Sequence, residues 1–330
     1  YGAGIVLDCC GAPAYWAGDE GRRSACTEKL RGIWDGMGHP TFVVACAYCE
    51  SVFGRFMPDV ETVSLYEMTA GHASLQVDQG GGGEKPRHIQ SADATLANRS
   101  ALPGGASVFD PCASRRGGSA ALAVRRIAAA AGIDVIELPG QGRCCGFGGH
   151  MRAANPVLYG EISENRAKMG DAPYIVYCAN CEDVFLRSGK DCVHAIDLVF
   201  GAPAEKHGVP VADLQAQRDN LSGLKAELLS AYTDERAEPK TEPWDSVDVA
   251  MSGELVREMD DRLILKGDVR EAVWKAEADG DMFIEPESGM RLCCLQKQVI
   301  TYWVKYKRAD GGAYEVFDVY SHRMRIGENA

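Results

Sequence analysis

The sequence lacks a hydrophobic signal segment and any run of the roughly 18 apolar residues that cross a membrane, so it predicts neither export nor a membrane span. It also lacks a basic excess, because 35 Lys and Arg residues face 47 Asp and Glu residues and give a net charge of −12. Proteins that bind nucleic acid need a basic face for the phosphates. We therefore expect a cytoplasmic protein that does not bind nucleic acid and that reaches a membrane only through partners.

Fingerprints for nucleotide cofactors are missing as well. The sequence has neither a Walker pattern nor a convincing G-x-G-x-x-G turn between a strand and a helix. The glycine-rich run Gly146–Gly149 follows two cysteines and predicts a tight turn instead. The sequence therefore offers no recognisable site for a flavin or a nicotinamide cofactor.

Cysteine, by contrast, is abundant, and it is arranged in two copies of one pattern. Each copy has two adjacent cysteines followed by glycine and, further along, a Cys-x-x-Cys pair. The copies are offset by 135 residues at the double cysteine and by 132 residues at the Cys-x-x-Cys pair. This repetition predicts an internal duplication of a thiol-rich site. The first copy has Cys9, Cys10, Cys46 and Cys49, and the second has Cys144, Cys145, Cys178 and Cys181.

These cysteines are poor candidates for disulfides. Adjacent Cα atoms are about 3.8 Å apart, which is shorter than the roughly 4.4–6.8 Å of most disulfides. In a reducing compartment, clustered cysteines are typically ligands of soft metals or redox-active thiols. Zinc takes four ligands, whereas the second copy offers five thiols once Cys112 is counted. Five thiols favour an iron–sulfur cluster over zinc in the second copy.

Two further segments carry a resemblance to a known family. Residues Val108–Cys112 form a predicted strand that ends in Asp-Pro-Cys, and Gly142–Met151 combine a Cys-Cys-Gly turn with trailing glycines. Together with the cysteine spacing, they resemble the cysteine-rich CCG domain of the heterodisulfide reductase B subunit and its relatives. Those relatives include the iron–sulfur subunit of glycolate oxidase. The resemblance extends from about Gly4 to about Gly201.

The resemblance implies a noncubane 4Fe-4S cluster in the second copy, of the kind that splits disulfides reductively in the heterodisulfide reductase. The family often has His after Asp-Pro-Cys, and this chain has Ala113. The resemblance also implies that Gly146 lies beside the cluster. The implied ligands are Cys112, Cys144, Cys145, Cys178 and Cys181.

The first copy lacks a counterpart of Cys112. By the repeat offset, that cysteine would precede Tyr1, and we expect it in an upstream segment. The four thiols that are present suffice for zinc or for an incomplete cluster site. The first copy is therefore expected to hold a second cluster, zinc or no metal.

The Cys-Cys-Gly turn of the second copy also holds the candidates for catalysis, which are Cys144, Cys145 and His150. His150 could deliver a proton to a departing thiolate. The alternative is a turn-capping or solvent-facing histidine, because a lone histidine is a weak signal. Gly146 would let the backbone approach a cluster and direct N–H groups at sulfur, or it would only form a strand–helix turn.

Apolar strands that alternate with helices predict an α/β fold, with two pseudo-symmetric CCG-type halves that each contain a parallel sheet. Both cysteine elements would lie at strand ends, where such sheets place ligands. Short strands are predicted at 4–7 and 135–138, among others. The predicted divisions are a first repeat at 1–78, a linker at 79–105, a second repeat at 106–201, a helix and linker at 202–243, and a small α+β module at 244–330.

Within the C-terminal module, Asp268 is predicted to cap a helix that begins at Val269. Residues 299–307 and 314–320 are predicted to form a hairpin. Cys293 and Cys294 resemble the cysteine motif only superficially, because Leu295 replaces the glycine. They are predicted to be buried strand residues, and the module is expected to serve as scaffold or for docking.

Three functions follow as hypotheses. The leading one is an iron–sulfur oxidoreductase subunit that passes electrons one at a time to a disulfide-like or other two-electron substrate. Because the sequence has no flavin or nicotinamide motif, we expect a flavoprotein or a ferredoxin-like protein as its electron donor. The second is a non-catalytic electron-relay or docking subunit of a larger redox complex. The third is a zinc-stabilised structural domain, which would require the first copy to be representative of both sites.

Overall fold

The computed structural model describes residues 4–73, 102, 104–116, 119–200, 212–232, 241–309 and 311–323. The chain divides into two compact units, Tyr1–Val211 and Ala212–Ala330. Most of the predicted linker at 79–105 lies outside the described residues, as does most of the linker after residue 232. In the described part of the chain, no helix is both long and apolar enough to cross a membrane.

The first half of the N-terminal unit contains a pair of parallel strands with helices before and after each. The strands pair with Phe42 opposite Thr62. Each strand is followed directly by a helix, which places the end of one strand next to the first copy of the Cys-x-x-Cys motif. The elements are α1 (Ala12–Trp16), α2 (Glu20–Gly36), β1 (Phe42–Val44), α3 (Ala47–Phe56), β2 (Thr62–Ser64) and α4 (Leu65–Ala73).

The second half contains a parallel sheet of three strands in the order β3-β4-β5. A 3₁₀ helix at Cys112–Arg116 follows the first of these strands. The α/β class with parallel sheets is confirmed. The elements are β3 (Ser107–Phe109), α5 (Ser119–Ala130), α6 (Met151–Ala154), α7 (Pro156–Ala167), β4 (Tyr174–Val176), α8 (Ala179–Arg187), β5 (Cys192–His194) and α9 (Ala195–Phe200).

Strands β3 and β4 are buried on both faces, which fits their largely apolar sequences. Every residue of β3 and β4 is buried. One face of β3 and β4 packs against the alanine-rich face of α5, where Val124 is fully buried. The other face packs against Phe185 of α8 and the Cys145 turn. The core thus brings the sheet and the second copy of the cysteine pattern into one packed structure.

Two of the predicted short strands are wrong. Residues Gly4–Leu7 have no regular structure, and Val6 packs against the core beside β1 and β2 without pairing with either strand. Residues 135–138 contribute a single bridge, between Val135 and Ala106. Apolar composition alone therefore overestimated strand length at both places. The two halves present corresponding elements in the same order, and their superposition stays a prediction.

The C-terminal unit is an α+β structure. Its five-stranded sheet has the order β6-β10-β9-β8-β7, in which only the β6–β10 pair is parallel. The hairpin formed by β9 and β10 agrees with the prediction. The elements are α10 (Leu214–Tyr232), a 3₁₀ helix (Pro243–Ser246), β6 (Val249–Met251), α11 (Gly253–Asp261), α12 (Lys266–Asp279), β7 (Phe283–Ile284), β8 (Arg291–Lys297), β9 (Ile300–Arg308) and β10 (Tyr314–His322).

Two details of this unit differ from the sequence predictions. Helix α12 begins before Asp268, whose carboxylate accepts a hydrogen bond from the N–H of Leu265 at 3.2 Å. Asp268 therefore supports the first turn from within the helix. Cys293 is buried and Cys294 is exposed, because neighbouring residues of a strand point to opposite faces of the sheet.

Candidate functional site

The Cys-Cys-Gly turn of the second repeat has a backbone that favours glycine. Gly146 has a φ of 104°, in a region that residues with a Cβ rarely adopt. A Cβ at this position would also lie 3.4 Å from the ring of Tyr159. The N–H of Gly146 donates a hydrogen bond to Sγ of Cys144 at 3.3 Å. The predicted approach of backbone N–H to sulfur is thus present at this turn.

The Cys-x-x-Cys pair lies where β4 ends and α8 begins. Cys178 is the N-cap residue of α8 and has an extended backbone, while Cys181 lies in the first turn and is buried. Hydrogen bonding from the Cys181 thiol, followed by bonds from the backbone N–H groups of Cys181 and Asn180, lowers the pKa of Cys178 despite its burial. A cysteine at a helix N-terminus is typically stabilised as a thiolate in this way.

Four of the five predicted ligands in the second repeat are joined by thiol contacts. Sγ of Cys181 lies 3.2 Å from Sγ of Cys145, and the Cys181 thiol also contacts Cys178. Cys145 in turn contacts Cys144, and this hydrogen bond, together with burial, raises the pKa of Cys145 to about 12. The fold therefore brings the double cysteine and the Cys-x-x-Cys pair together, although 32 residues separate Cys145 from Cys178.

The fifth predicted ligand, Cys112, begins the 3₁₀ helix that follows β3. The preceding Asp110 pairs with Arg125 of α5 at 2.9 Å and accepts a hydrogen bond from the Tyr177 hydroxyl at 2.7 Å. Arg125 also pairs with Glu137 at 2.6 Å. This network connects the Asp-Pro-Cys turn with Tyr177, the residue before Cys178. Cys112 itself lies on the wall of a cavity of about 720 Å³.

The first repeat reproduces the glycine contact and the contacts of the Cys-x-x-Cys pair. The N–H of Gly11 donates to Sγ of Cys9 at 3.4 Å, and Sγ of Cys49 lies 3.2 Å from Sγ of Cys10. Cys46 is the N-cap of α3, and hydrogen bonding from Cys49 lowers the pKa of Cys46 to about 6. The matching distances in the two copies follow from matching turns, because Gly11 also has a positive φ, of 86°.

Tyr66 joins the two repeats, a role that sequence analysis missed. Its hydroxyl lies 2.9 Å from the carbonyl oxygen of Ala45 and 3.0 Å from that of Tyr177. These two residues directly precede Cys46 and Cys178. Cys46 and Cys178 are close enough for the charge of Cys46 to act on Cys178 as a smaller effect. The two thiol sites of this unit are therefore neighbours.

The proposed proton donor, His150, contacts the other repeat. Its Nε2 lies 3.0 Å from the carbonyl oxygen of Pro13, and its ring is 6.1 Å from the ring of Trp16. The residue is exposed and has a φ of 55° as the N-cap of α6. In this conformation the ring is held at the backbone of α1, and a thiol would have to compete with Pro13 for the Nε2 hydrogen.

The thiols fit an iron–sulfur cluster in ligand type. In the described ranges of the chain, no three Cys, His, Asp or Glu side chains surround a common point in a way that holds a single metal ion. The closest thiol pairs are held by hydrogen bonds between sulfurs, which a metal would replace with thiolate bonds. Clustered thiolates are the ligands of iron–sulfur clusters, so the residues suit this cofactor chemically.

Comparison with known families supports this interpretation of the second repeat. Residues 106–185 match the family described as a cysteine-rich domain, CCG. The predicted resemblance to the CCG domain is confirmed for residues 106–185. The matched segment contains Cys112 and the four thiols in contact, and it covers less than half of the chain. The CCG match indicates metal binding and, at a coarse level, redox chemistry. No curated protein and no solved structure matches the chain.

Proposed function

We propose that the chain is an iron–sulfur oxidoreductase subunit, similar to the heterodisulfide reductase B subunit, that reduces a disulfide-like or other two-electron substrate. The observation that carries this proposal is the set of thiol contacts through Cys144, Cys145, Cys181 and Cys178 within the segment that matches the CCG family. The proposed substrate and activity rest on the family resemblance. The thiol contacts support the binding of a cluster on which that activity would depend.

In the proposed reaction, a disulfide takes up two electrons and two protons, its S–S bond breaks, and two thiols form. A noncubane 4Fe-4S cluster, when bound, would supply the electrons one at a time. The N–H of Gly146 is directed at Sγ of Cys144 and would tune the reduction potential through hydrogen bonding to sulfur. The residues that would hold the cluster are Cys112, Cys144, Cys145, Cys178 and Cys181.

Electrons would come from a reduced flavoprotein or ferredoxin-like partner, since the sequence has no flavin or nicotinamide motif. Protons would come from solvent or from His150. For His150 to protonate a departing thiolate, its ring must first release the carbonyl of Pro13. A substitution of His150 by Gln would retain a hydrogen-bond donor and remove the titratable ring, and it should slow a proton-limited step.

The first repeat supports a second, narrower hypothesis. The thiol contacts among Cys10, Cys46 and Cys49 correspond to those among Cys145, Cys178 and Cys181, so zinc or a second cluster could bind there. Zinc at this position would be structural, and the redox reaction would then depend on the second repeat alone. An electron-relay role remains the alternative if the chain binds iron and no substrate.

Metal and spectroscopic analysis of anaerobically purified protein tests the proposal. We expect iron, acid-labile sulfide and a paramagnetic signal that changes when a thiol is added. Iron without a response to thiol would favour the relay function. Zinc alone would contradict the proposal and favour a structural domain.

A further inference from the structure

The cavity beside Cys112 has features of a small-molecule site. It is bounded by α1 and α3 of the first repeat and by the start of the 3₁₀ helix of the second repeat. Its volume of about 720 Å³ falls within the roughly 300–1,000 Å³ of most ligand pockets. Tyr15, Tyr48 and Phe56 supply aromatic walls, while Cys112, Ala113 and Ser114 supply the wall on the side of the predicted cluster.

Two charged side chains line this cavity, and they carry opposite charges. Arg55 is oriented by Tyr15, whose hydroxyl accepts a hydrogen bond from Nη1 at 2.8 Å, and its guanidinium lies 5.3 Å from the centre of the Phe56 ring. Glu50 lies one turn earlier in α3 and is half-buried. Neither makes an ion pair with another residue in the described part of the chain. Both charges can therefore bind a ligand.

Neighbouring charges do not neutralise this pair. The charge of Arg55 contributes slightly to lowering the pKa of Glu20, but the carboxylate of Glu20 is hydrogen-bonded to Arg23. Glu67 lies close enough to Glu50 to raise the pKa of Glu50, in addition to the larger effect of burial. The cavity thus presents one cation at the Tyr15 side and a carboxylate with a second acidic neighbour.

We propose that this cavity binds an amino-acid-type disulfide or thiol, with Arg55 pairing with its carboxylate and Glu50 with its ammonium group. The sulfur end would then be directed toward the wall that contains Cys112. This inference rests on the proposed function, and it identifies the class of substrate that the proposed cluster would reduce. The disulfide of two such units takes up the same two electrons and two protons, and the reduced flavoprotein or ferredoxin-like partner supplies the electrons.

Four thiols that share a two-carbon unit next to sulfur and differ in their charged groups separate the two charge contacts. L-cysteine carries both charges, 3-mercaptopropionate the carboxylate, cysteamine the ammonium group, and 2-mercaptoethanol neither. We expect calorimetric titration of the full, anaerobically purified chain to show tightest binding for L-cysteine. Each matched charge should strengthen binding about tenfold, as a partly buried charge-assisted hydrogen bond does.

Two single variants assign these contacts to residues. Arg55→Gln should weaken L-cysteine and 3-mercaptopropionate about tenfold and leave cysteamine unchanged. Glu50→Gln should weaken L-cysteine and cysteamine by a similar factor and leave 3-mercaptopropionate unchanged. Arg22→Gln and Glu164→Gln are matched controls, because both residues are exposed and form ion pairs outside the cavity.

The order of affinities among the four thiols tests the cavity proposal independently of the proposed function. Equal affinity of the four thiols for the unmodified chain would overturn it, and so would an equal loss of all four in both variants. Iron and sulfide content tests the cluster, and it should be the same in both variants and both controls. A chain without iron that still shows the charge pattern would retain the cavity proposal and refute the proposed function.

Discussion

The hydroxyl of Tyr66 lies 3.0 Å from the carbonyl oxygen of Tyr177, so a side chain of the first repeat contacts the backbone directly before Cys178 in the second. The same hydroxyl lies 2.9 Å from the carbonyl oxygen of Ala45, directly before Cys46. Tyr66 is buried, its contact with Tyr177 is buried as well, and its contact with Ala45 is partly buried. The positions of the two Cys-x-x-Cys pairs therefore depend on one phenol group.

Replacing Tyr66 with Phe should destabilise the N-terminal unit by about 1–2 kcal/mol, because the buried carbonyl of Tyr177 and the partly buried carbonyl of Ala45 would lose their shared donor. The first turns of α3 and α8 should also exchange their amide hydrogens faster. Chemical denaturation and hydrogen exchange would measure both effects. Tyr320→Phe is the control, since Tyr320 is exposed on β10. Equal stability of the two variants would show that the bridge contributes nothing.

Cys145→Ser should remove or convert the proposed cluster while the C-terminal unit stays folded. Cys145 contacts both Cys144 and Cys181, so its loss breaks the set of thiol contacts at its centre. Iron content and the electronic spectrum of the anaerobic protein measure the effect. Cys294→Ser is the matched control, because Cys294 is exposed on β8. Unchanged iron and spectrum in Cys145→Ser would refute the assignment of the five ligands.

Gly146→Ala should reduce both stability and iron content. The positive φ of 104° costs a residue with a Cβ about 1–2 kcal/mol, and the new methyl group would press on the ring of Tyr159. Gly160→Ala in α7 is the control, since a Cβ there meets no atom within 4 Å. The control should be neutral or stabilising, because alanine favours helices. A Gly146→Ala protein as stable and iron-rich as the control would contradict this view of the turn.

In the reduced, metal-free protein, Cys46 should be alkylated faster than Cys49 at pH 7. Hydrogen bonding from Cys49 lowers the pKa of Cys46 to about 6, while the hydrogen bonds that Cys49 makes with Cys10 and Cys46 raise its own pKa. Only the thiolate reacts, so the rate at Cys46 should fall as the pH decreases through 6. Peptide mass spectrometry after brief iodoacetamide treatment measures both rates. Faster modification of Cys49 would contradict the predicted order.

Removing the C-terminal unit should leave the iron content of the remaining chain unchanged. Helix α10 belongs with this unit, because the N–H of Leu214 donates to Asp260 at 2.7 Å and Asp213 pairs with Lys266 at 3.0 Å. The deletion should therefore begin at Ala212, whereas a deletion from Trp244 would leave α10 without these partners. A folded, soluble chain ending at Val211 that loses its iron would require the domain division to be withdrawn.

The sequence predicted most of the cysteine site, because the Cys-Cys-Gly turns and the Cys-x-x-Cys pairs are local patterns with fixed backbone requirements. Gly146 illustrates this, since its role is visible in the motif and in its positive φ. Tyr66 could not be identified in this way, because its two acceptors are backbone carbonyls that any residue could supply. Arg55 was also missed, because only folding brings α3 next to Cys112.

Strand length was the weakest part of the prediction. Residues Gly4–Leu7 are apolar enough for a strand, but a strand also has to reach the edge of a neighbouring strand in register. In the described residues they pair with neither β1 nor β2, and composition alone could not show this.

Tyr177 makes one contact that the second repeat supplies by itself and one that requires the first repeat. Its hydroxyl is bound to Asp110 within the second repeat, while its carbonyl faces Tyr66 from the first. A polypeptide of residues 106–200 could form its three-stranded sheet and its aspartate contact, yet the backbone beside Cys178 would be left open to water. Burial of the carbonyl beside that cysteine therefore depends on a side chain that only the first repeat supplies.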